Sequence, residues 1–260
     1  MEVIVKQTYA EMSAEAAKEI AAVINQKPNA VLGLATGSTP LALYQHLVRM
    51  HKEEGLDFSQ CTTFNLDEYV GLPPGHDQSY HYFMHENLFK HINIPRHNIH
   101  IPSGTTSNYA AFCAWYEKRI EEVGGIDVQV LGIGSDGHIA FNEPGSSLAS
   151  RTRLKTLAKV TIDDNARFFK SAKDVPIYAI TMGVGTILEA RKLVLVANGK
   201  KKADAVAQMI EGPVTSMITA SALQLHPDAR VFLDSEAAAK LKMREYYDWI
   251  QEHKPNAPQV

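Results

Sequence analysis

Two cysteines stand in 260 residues, Cys61 and Cys113, far apart and with no CxxC spacing. That pattern supports neither a disulfide framework nor a zinc site. No apolar run approaches the roughly 18 residues that a membrane-spanning helix needs. The opening MEVIVKQTYAEMS has no basic stretch followed by a long apolar one, so no secretory signal is expected and the cytoplasm is the expected compartment. Strong charge of either sign is missing too. A formal net charge of −3 gives no electrostatic reason to expect nucleic acid or a membrane surface as partner. Repeats and low-complexity tracts are lacking, and so are G-K-[ST] after a glycine loop and H-E-x-x-H.

What is present is a core-forming composition, 45% hydrophobic, in a length that suits one large α/β domain. Short apolar runs at residues 3–5, 31–35, 61–66, 128–133, 177–181, 192–197 and 229–233 read as buried strands. Helical periodicity fills 13–25, 41–55, 79–91, 108–123 and 203–212, with a closing helix at 236–252 and a tail at 255–260. Ser13 and Ala16 fall short of a capping box at the first helix. This alternation predicts an open, mostly parallel sheet with helices on both faces, a Rossmann-like three-layer sandwich.

The chemistry concentrates in VQVLGIGSDGHIAFNEP, residues 128–144. A strand ends in a loop with Gly132, Gly134 and Gly137, and with Asp136, His138 and Glu143 within eight residues of one another. Gly132-Ile-Gly134-Ser-Asp-Gly137 fits the dinucleotide fingerprint G-x-G-x-x-G. That reading needs a following helix and an acidic residue about 20 positions on. Here Pro144 and Gly145 cut the helix short and the later segment is basic. The glycines alone could serve a tight turn, but that leaves the crowding of Asp, His and Glu unexplained.

Two further loops follow strands. Residues 36–40, TGSTP, open a helix whose free amides suit an anion, and an ordinary helix cap explains the same residues equally well. Asp67 and Glu68 open a Pro/Gly-rich loop over 67–75; they suit acid–base work or a cap for the next turn. His81 and His85 lie one helical turn apart without a third ligand, so a packed or solvated face is the expectation rather than a metal. Arg151, Arg153, Lys155 and Lys159 make a basic segment, read either as a solvated face or as a second anion site. Lys200, Lys201 and Lys202 crowd a helix start, where the macrodipole disfavours cations, so one of them is expected to serve a bound anion. Arg167 lies in a polar-then-aromatic segment. In a parallel sheet the loops at 36–40, 67–75 and 134–143 share one edge. The expected ligand is a phosphorylated small molecule handled by acid–base chemistry, with no metal or cofactor.

The motifs LGLATGSTPLALY, TFNLDEYVGL, SYHYFMHENLF, GIGSDGHIAFNEPGSSLASRTRLKTL, ARFF, YAITMGVGTI, KKADAV and LQLHPDA span about residues 31 to 230. Together they closely resemble the glucosamine-6-phosphate deaminase (isomerase) family. The resemblance implies a single domain over 1–260 that turns D-glucosamine 6-phosphate and water into D-fructose 6-phosphate and ammonia. It implies His138 as the ring-opening group, flanked by Asp136 and Glu143, with Asp67 as the base at C2. Ser38, Thr39, Arg167 and Lys202 would hold the phosphate under a lid at about 155–185. Some members are hexamers activated by N-acetylglucosamine 6-phosphate. The effector residues match Ser146, Arg153, Lys155 and Thr156, with Tyr246 standing for a C-terminal tyrosine. Shorter members are monomeric and unregulated, and residues 256–260 differ from the hexameric type.

Two rivals are weighed against this. 6-Phosphogluconolactonases resemble the chain but usually continue the DGH loop into Ser-Leu-Phe-Pro, where this chain has Phe141-Asn142-Glu143-Pro144. A sugar-phosphate-sensing regulator needs a helix-turn-helix, and the first strand begins too early to leave room for one.

Overall fold

In the computed structural model, which describes residues 1–254, the apolar runs pair into parallel strands with helices between them. The expected tail at 255–260 lies outside the described residues. In chain order the elements open with β1 (Glu2–Lys6), α1 (Tyr9–Gln26), β2 (Val31–Leu34), α2 (Leu41–Glu54), β3 (Thr62–Asn65) and β4 (Asp67–Tyr69). Next come α3 (Tyr80–Asn87), β5 (Ile99–His100), α4 (Tyr109–Glu122), β6 (Val128–Leu131), β7 (Arg153–Thr156) and α5 (Lys159–Asn165). The last are β8 (Tyr178–Thr181), α6 (Val184–Leu188), β9 (Lys192–Ala197), α7 (Ala203–Glu211), β10 (Ala229–Asp234) and α8 (Arg244–Glu252).

Seven strands form one sheet in the order β1-β10-β9-β6-β2-β3-β5, every neighbour parallel. From β2 the chain runs outward to β3 and β5. It then returns through β6 on the other side of β2. That reversal leaves a crevice at the carboxyl ends of β2 and β6, where open α/β sheets bind ligands. β2, β6 and most of β9 are buried throughout, as near-continuous apolar strands covered on both faces should be. α1 buries Met12, Ala16, Ile20 and Ile24 along one stripe. Each buried Ile or Met contributes about 2 kcal/mol of transfer free energy.

Some sequence expectations need correction. The strand expected at 177–181 does not join the parallel sheet. As β8 it is the middle strand of a second, antiparallel sheet, β4-β8-β7. The basic stretch around Arg153 supplies its edge, β7, and Asp67-Glu68-Tyr69 its other edge. Three or four residues per strand are too few for periodicity to reveal. The closing helix spans only Arg244–Glu252; Asp234 accepts from the Ala237 N–H at 2.8 Å and holds the preceding segment in turns. At the other end, α1 begins before Ser13. Thr8 and Glu11 form a reciprocal capping box, Glu11 N–H to Thr8 Oγ1 at 3.2 Å and Thr8 N–H to Glu11 Oε2 at 3.1 Å. No described helix is long and apolar enough to cross a membrane.

The return from the small sheet is pinned by a close backbone approach. Gly71 N–H donates to Gly104 O at 2.8 Å, and a Cβ on Gly104 would stand 2.2 Å from the Tyr69 carbonyl oxygen. Backbone cannot swing aside as a side chain can. Gly104→Ala is expected to cost about 1–3 kcal/mol, the usual range for overpacking, read as a lower urea midpoint with unchanged slope. An unchanged midpoint would show that this approach is not rigid.

Candidate active site

Loops after β2, β3, β6 and β9, four adjacent strands, meet around a cavity of about 630 Å³. Its lining includes Ser38, Thr39, Asp67, Tyr80, His138, Arg167, Asn198 and Lys200 to Lys202. The three loops expected to converge do so, and the lysine turn after β9 joins them.

The loop after β2 combines a helix cap with room for an anion. Pro40 occupies the position preceding α2 and gives no side-chain cap of its own. In the first turn Ala42 N–H donates to Tyr9 Oη at 3.1 Å, so that amide is already satisfied. Ser38 and Thr39 are held from behind, where Tyr9 Oη donates to the Thr39 carbonyl at 2.8 Å. Thr39 Oγ1 donates to Asn198 Oδ1 at 2.8 Å, tying this loop to the one after β9.

At the end of β3 the two adjacent acids part company. Glu68, with 0% exposure, accepts from the N–H groups of Tyr69, Tyr80 and His81 at 2.9 to 3.1 Å and lies 2.9 Å from His81 Nδ1. It caps α3, so the helix-capping alternative is correct for Glu68. His81 is thereby engaged by a carboxylate. Asp67, 6% exposed, faces the cavity instead. Burial first, and the charge on Glu68 second, hold its carboxyl well above the usual carboxylate range. Tyr80, set at the start of α3 by Glu68, also lines the cavity, its ring 5.0 Å from that of Tyr69. Its position inside a helical pattern gave no sign of this role.

The loop after β6 carries the histidine. His138 Nδ1 lies 2.7 Å from Asp136 Oδ1 and 3.6 Å from Glu143 Oε2. Asp136 Oδ2, Glu143 Oε2 and His138 Nδ1 itself have no hydrogen-bond partner among the described residues. The bond between the two loop residues runs from the His138 backbone N–H to Asp136 Oδ1 at 3.2 Å, and the acids keep acceptor capacity for an imidazolium. Burial pushes the Asp136 carboxyl up, but the hydrogen bond and charge of His138 outweigh it, and the net shift is downward. Asp136 and Glu143 stand behind the ring and do not line the cavity. A Cβ on Gly134 would sit 2.5 Å from the His138 ring, so only glycine leaves room for it. Ala140 adopts φ +50°, a left-handed conformation that costs a non-glycine residue about 1 kcal/mol. Surrounding bonds impose it. Phe141 N–H donates to Thr181 Oγ1 at 3.1 Å, Asn142 Nδ2 to Met182 O at 2.8 Å, and Thr219 Oγ1 to Asn142 O at 2.9 Å. Thr181 and Thr219 are remote in sequence and carried no local signal.

α5 and the 3₁₀ turn Ala166–Phe168 cover the cavity and bring Arg167 to it. Ala158 N–H, at the head of α5, donates to Glu143 Oε1 at 2.9 Å. Among the three lysines, Lys202 is half-buried while Lys200 and Lys201 are exposed. Burial, then the neighbouring positive charge of Arg167, lowers the Lys202 ammonium pKa; Asp164 opposes the shift.

The residues matched to an effector site lie apart from this cavity. Ser146 is buried with its hydroxyl unpartnered among the described residues, and Arg153 donates to Asn142 Oδ1 at 2.8 Å. Lys155 and Thr156 continue β7, and Tyr246 is exposed on α8. Asp136, His138 and Glu143 bring one possible ligand atom each within 4.8 Å of one another.

A family model described as glucosamine-6-phosphate isomerases/6-phosphogluconolactonase matches residues 5–233. The chain is 53% identical to a glucosamine-6-phosphate deaminase of Thermoanaerobacter pseudethanolicus, over 92% of this chain and 94% of that one. It is 51% identical to that of Hahella chejuensis over 96% of each. The solved structure of a monomeric glucosamine-6-phosphate deaminase superposes with TM-score 0.91 at 46% identity, covering 92% of this chain and 100% of the other. The 6-phosphogluconolactonase of Trypanosoma brucei, at 23% identity and TM-score 0.73 over 92% and 98%, shares the fold.

A buried carboxyl whose pKa is raised on folding binds its proton more tightly in the folded state. Stability then falls as pH rises from the unfolded value toward the folded one. Asp67→Asn is therefore expected to raise the urea midpoint at pH 7 and to lose that advantage below about pH 4, where Asp67 is protonated in both states. Denaturation at the two pH values checks it; a variant less stable than the parent at pH 7 would refute the assignment of a desolvated charge.

Proposed function

The chain belongs to the glucosamine-6-phosphate isomerase/6-phosphogluconolactonase family, and we propose that its reaction is the deaminase one. D-Glucosamine 6-phosphate and water become D-fructose 6-phosphate and ammonia, a hydrolysis of a carbon–nitrogen bond. The observation that carries the reading is Asp67, a desolvated carboxylate facing the same cavity as His138. A lactone hydrolase needs no base at C2, and deaminases are the relatives at about half identity.

Each step has a group suited to it. His138 moves a proton from the C1 hydroxyl to the ring oxygen, and the pyranose opens to the aldehyde. Asp136 and Glu143 hold the imidazole and stabilise its charged form, as the acid of a catalytic triad does. Asp67 removes the proton from C2 while electrons flow to O1, which takes up a proton from the substrate ammonium to give an enolamine. Asp67 then returns its proton to C1, and the resulting C2 iminium adds water and expels ammonia, leaving the C2 ketone. Desolvation makes Asp67 a stronger base than a carboxylate in water. The α2 amides, Ser38, Thr39, Arg167 and Lys202 anchor the phosphate, and residues 155–185 form the lid. Thr156 and Tyr178 are paired across β7 and β8, so within that segment the part between the strands moves.

The enzyme is read as cytoplasmic. Its assembly follows one of two forms. One is a hexamer regulated by N-acetylglucosamine 6-phosphate through Ser146, Arg153, Lys155 and Thr156. The other is an unregulated monomer like the solved 46%-identical deaminase.

Purified protein in EDTA is expected to release ammonia from glucosamine 6-phosphate, and Asp67→Asn to lower kcat by about 10²-fold or more. A sigmoidal curve made hyperbolic by N-acetylglucosamine 6-phosphate selects the regulated form; hyperbolic kinetics indifferent to it select the monomer. Hydrolysis of 6-phosphogluconolactone without ammonia release would overturn the deaminase reading.

A further inference from the structure

Asp164, on the cavity side of α5, lies where the phosphate reading puts positive charge. Its Oδ2 accepts a hydrogen bond from Ser135 Oγ at 2.6 Å. Ser135, Asp163, Asp164, Arg167 and Lys202 all line the one cavity. Lys202 feels the charges of Asp164, Arg167 and Asp136 together. Neither Lys202 nor Arg167 forms an ion pair within 4.0 Å among the described residues; the Arg167 guanidinium rests 4.6 Å over the Phe168 ring instead. A carboxylate is thus anchored in the same cavity as two cations that form no ion pair among the described residues, by a hydroxyl three residues before His138.

We propose that Asp164 is an internal stand-in for the substrate phosphate, and a specificity residue. In the free enzyme it occupies the field of Lys202 and Arg167, with Ser135 as its anchor. A phosphate dianion entering that field must repel it, since two anions cannot share the same cations without cost. Inorganic phosphate has only the anion contacts to set against this. A sugar phosphate also has its sugar chain, which reaches toward Asp67 and His138, so the whole substrate displaces Asp164 where a bare anion does not. Displacement also frees the far end of α5 from the histidine loop while Ala158 remains bonded to Glu143 at the near end. The proposal rests on the phosphate placement given above and adds to it a built-in discrimination against small anions.

Calorimetry with inorganic phosphate tests this without turnover. Asp164→Asn is expected to bind phosphate about tenfold more tightly than the parent, a difference of about 1.4 kcal/mol. Asp164→Glu, which keeps the charge, should show no such gain, and Ser135→Ala, which removes only the anchor, should change affinity less. An affinity in Asp164→Asn equal to or weaker than the parent's, while Lys202→Met weakens binding, overturns the role of Asp164 and leaves the phosphate site standing. If Lys202→Met and Asp164→Asn both leave phosphate affinity at the parent's value, phosphate binds elsewhere and both assignments fall.

Discussion

The site depends on burying two neighbouring carboxylates at the end of one strand and treating them differently. Glu68 is supplied with backbone N–H donors and the imidazole of His81. Its oxygens are thus hydrogen-bonded, as buried polar groups require. Asp67, one residue on the other side of the chain, receives none of these and looks into the cavity. Desolvation, and after it the neighbouring Glu68 charge, raise the affinity of Asp67 for a proton. A structural acid thus raises its neighbour's affinity for a proton, and the same acid fixes α3 and so Tyr80.

The histidine loop solves the opposite problem. The acids behind His138 keep free acceptor atoms rather than full satisfaction. The left-handed Ala140 shows that the loop is held away from its relaxed shape. Such strain persists only where surroundings over-determine it. Thr181 and Thr219 do so from two other segments, and Thr181 is also the register partner of Asp67 and of Arg153. The small antiparallel sheet therefore joins Asp67, the histidine loop and the strand carrying the basic residues.

The large sheet was legible in the sequence because strands buried on both faces are continuous apolar runs, and the crevice followed from their alternation with helices. Asp136, His138 and Glu143 were legible because they crowd a loop that no fold requires to be acidic. β4 and β7 were not, since three or four residues with charges among them carry no period. The roles of Asp67 and Glu68 could not be separated by type alone; the difference lies in which one meets the start of α3, a tertiary fact. The N-terminus of α2 was equally ambiguous, because Ser, Thr and Pro there suit a cap and an anion site alike, and its partner Tyr9 lies about thirty positions away. Thr219 lies about eighty positions from the loop it holds, and the partnership of Ser135 with Asp164 depends on how α5 folds over the sheet.

The most direct test of this account is the acid limb of kcat against pH at saturating substrate, in the parent and in Glu68→Gln. Burial beside a charged Glu68 predicts an inflection above the ordinary aspartate value of about 3.9 in the parent, moving downward when the Glu68 charge is removed. An acid limb at the ordinary value, or one that stays in place in Glu68→Gln, would contradict the claim that the paired burial of these carboxylates makes Asp67 the base.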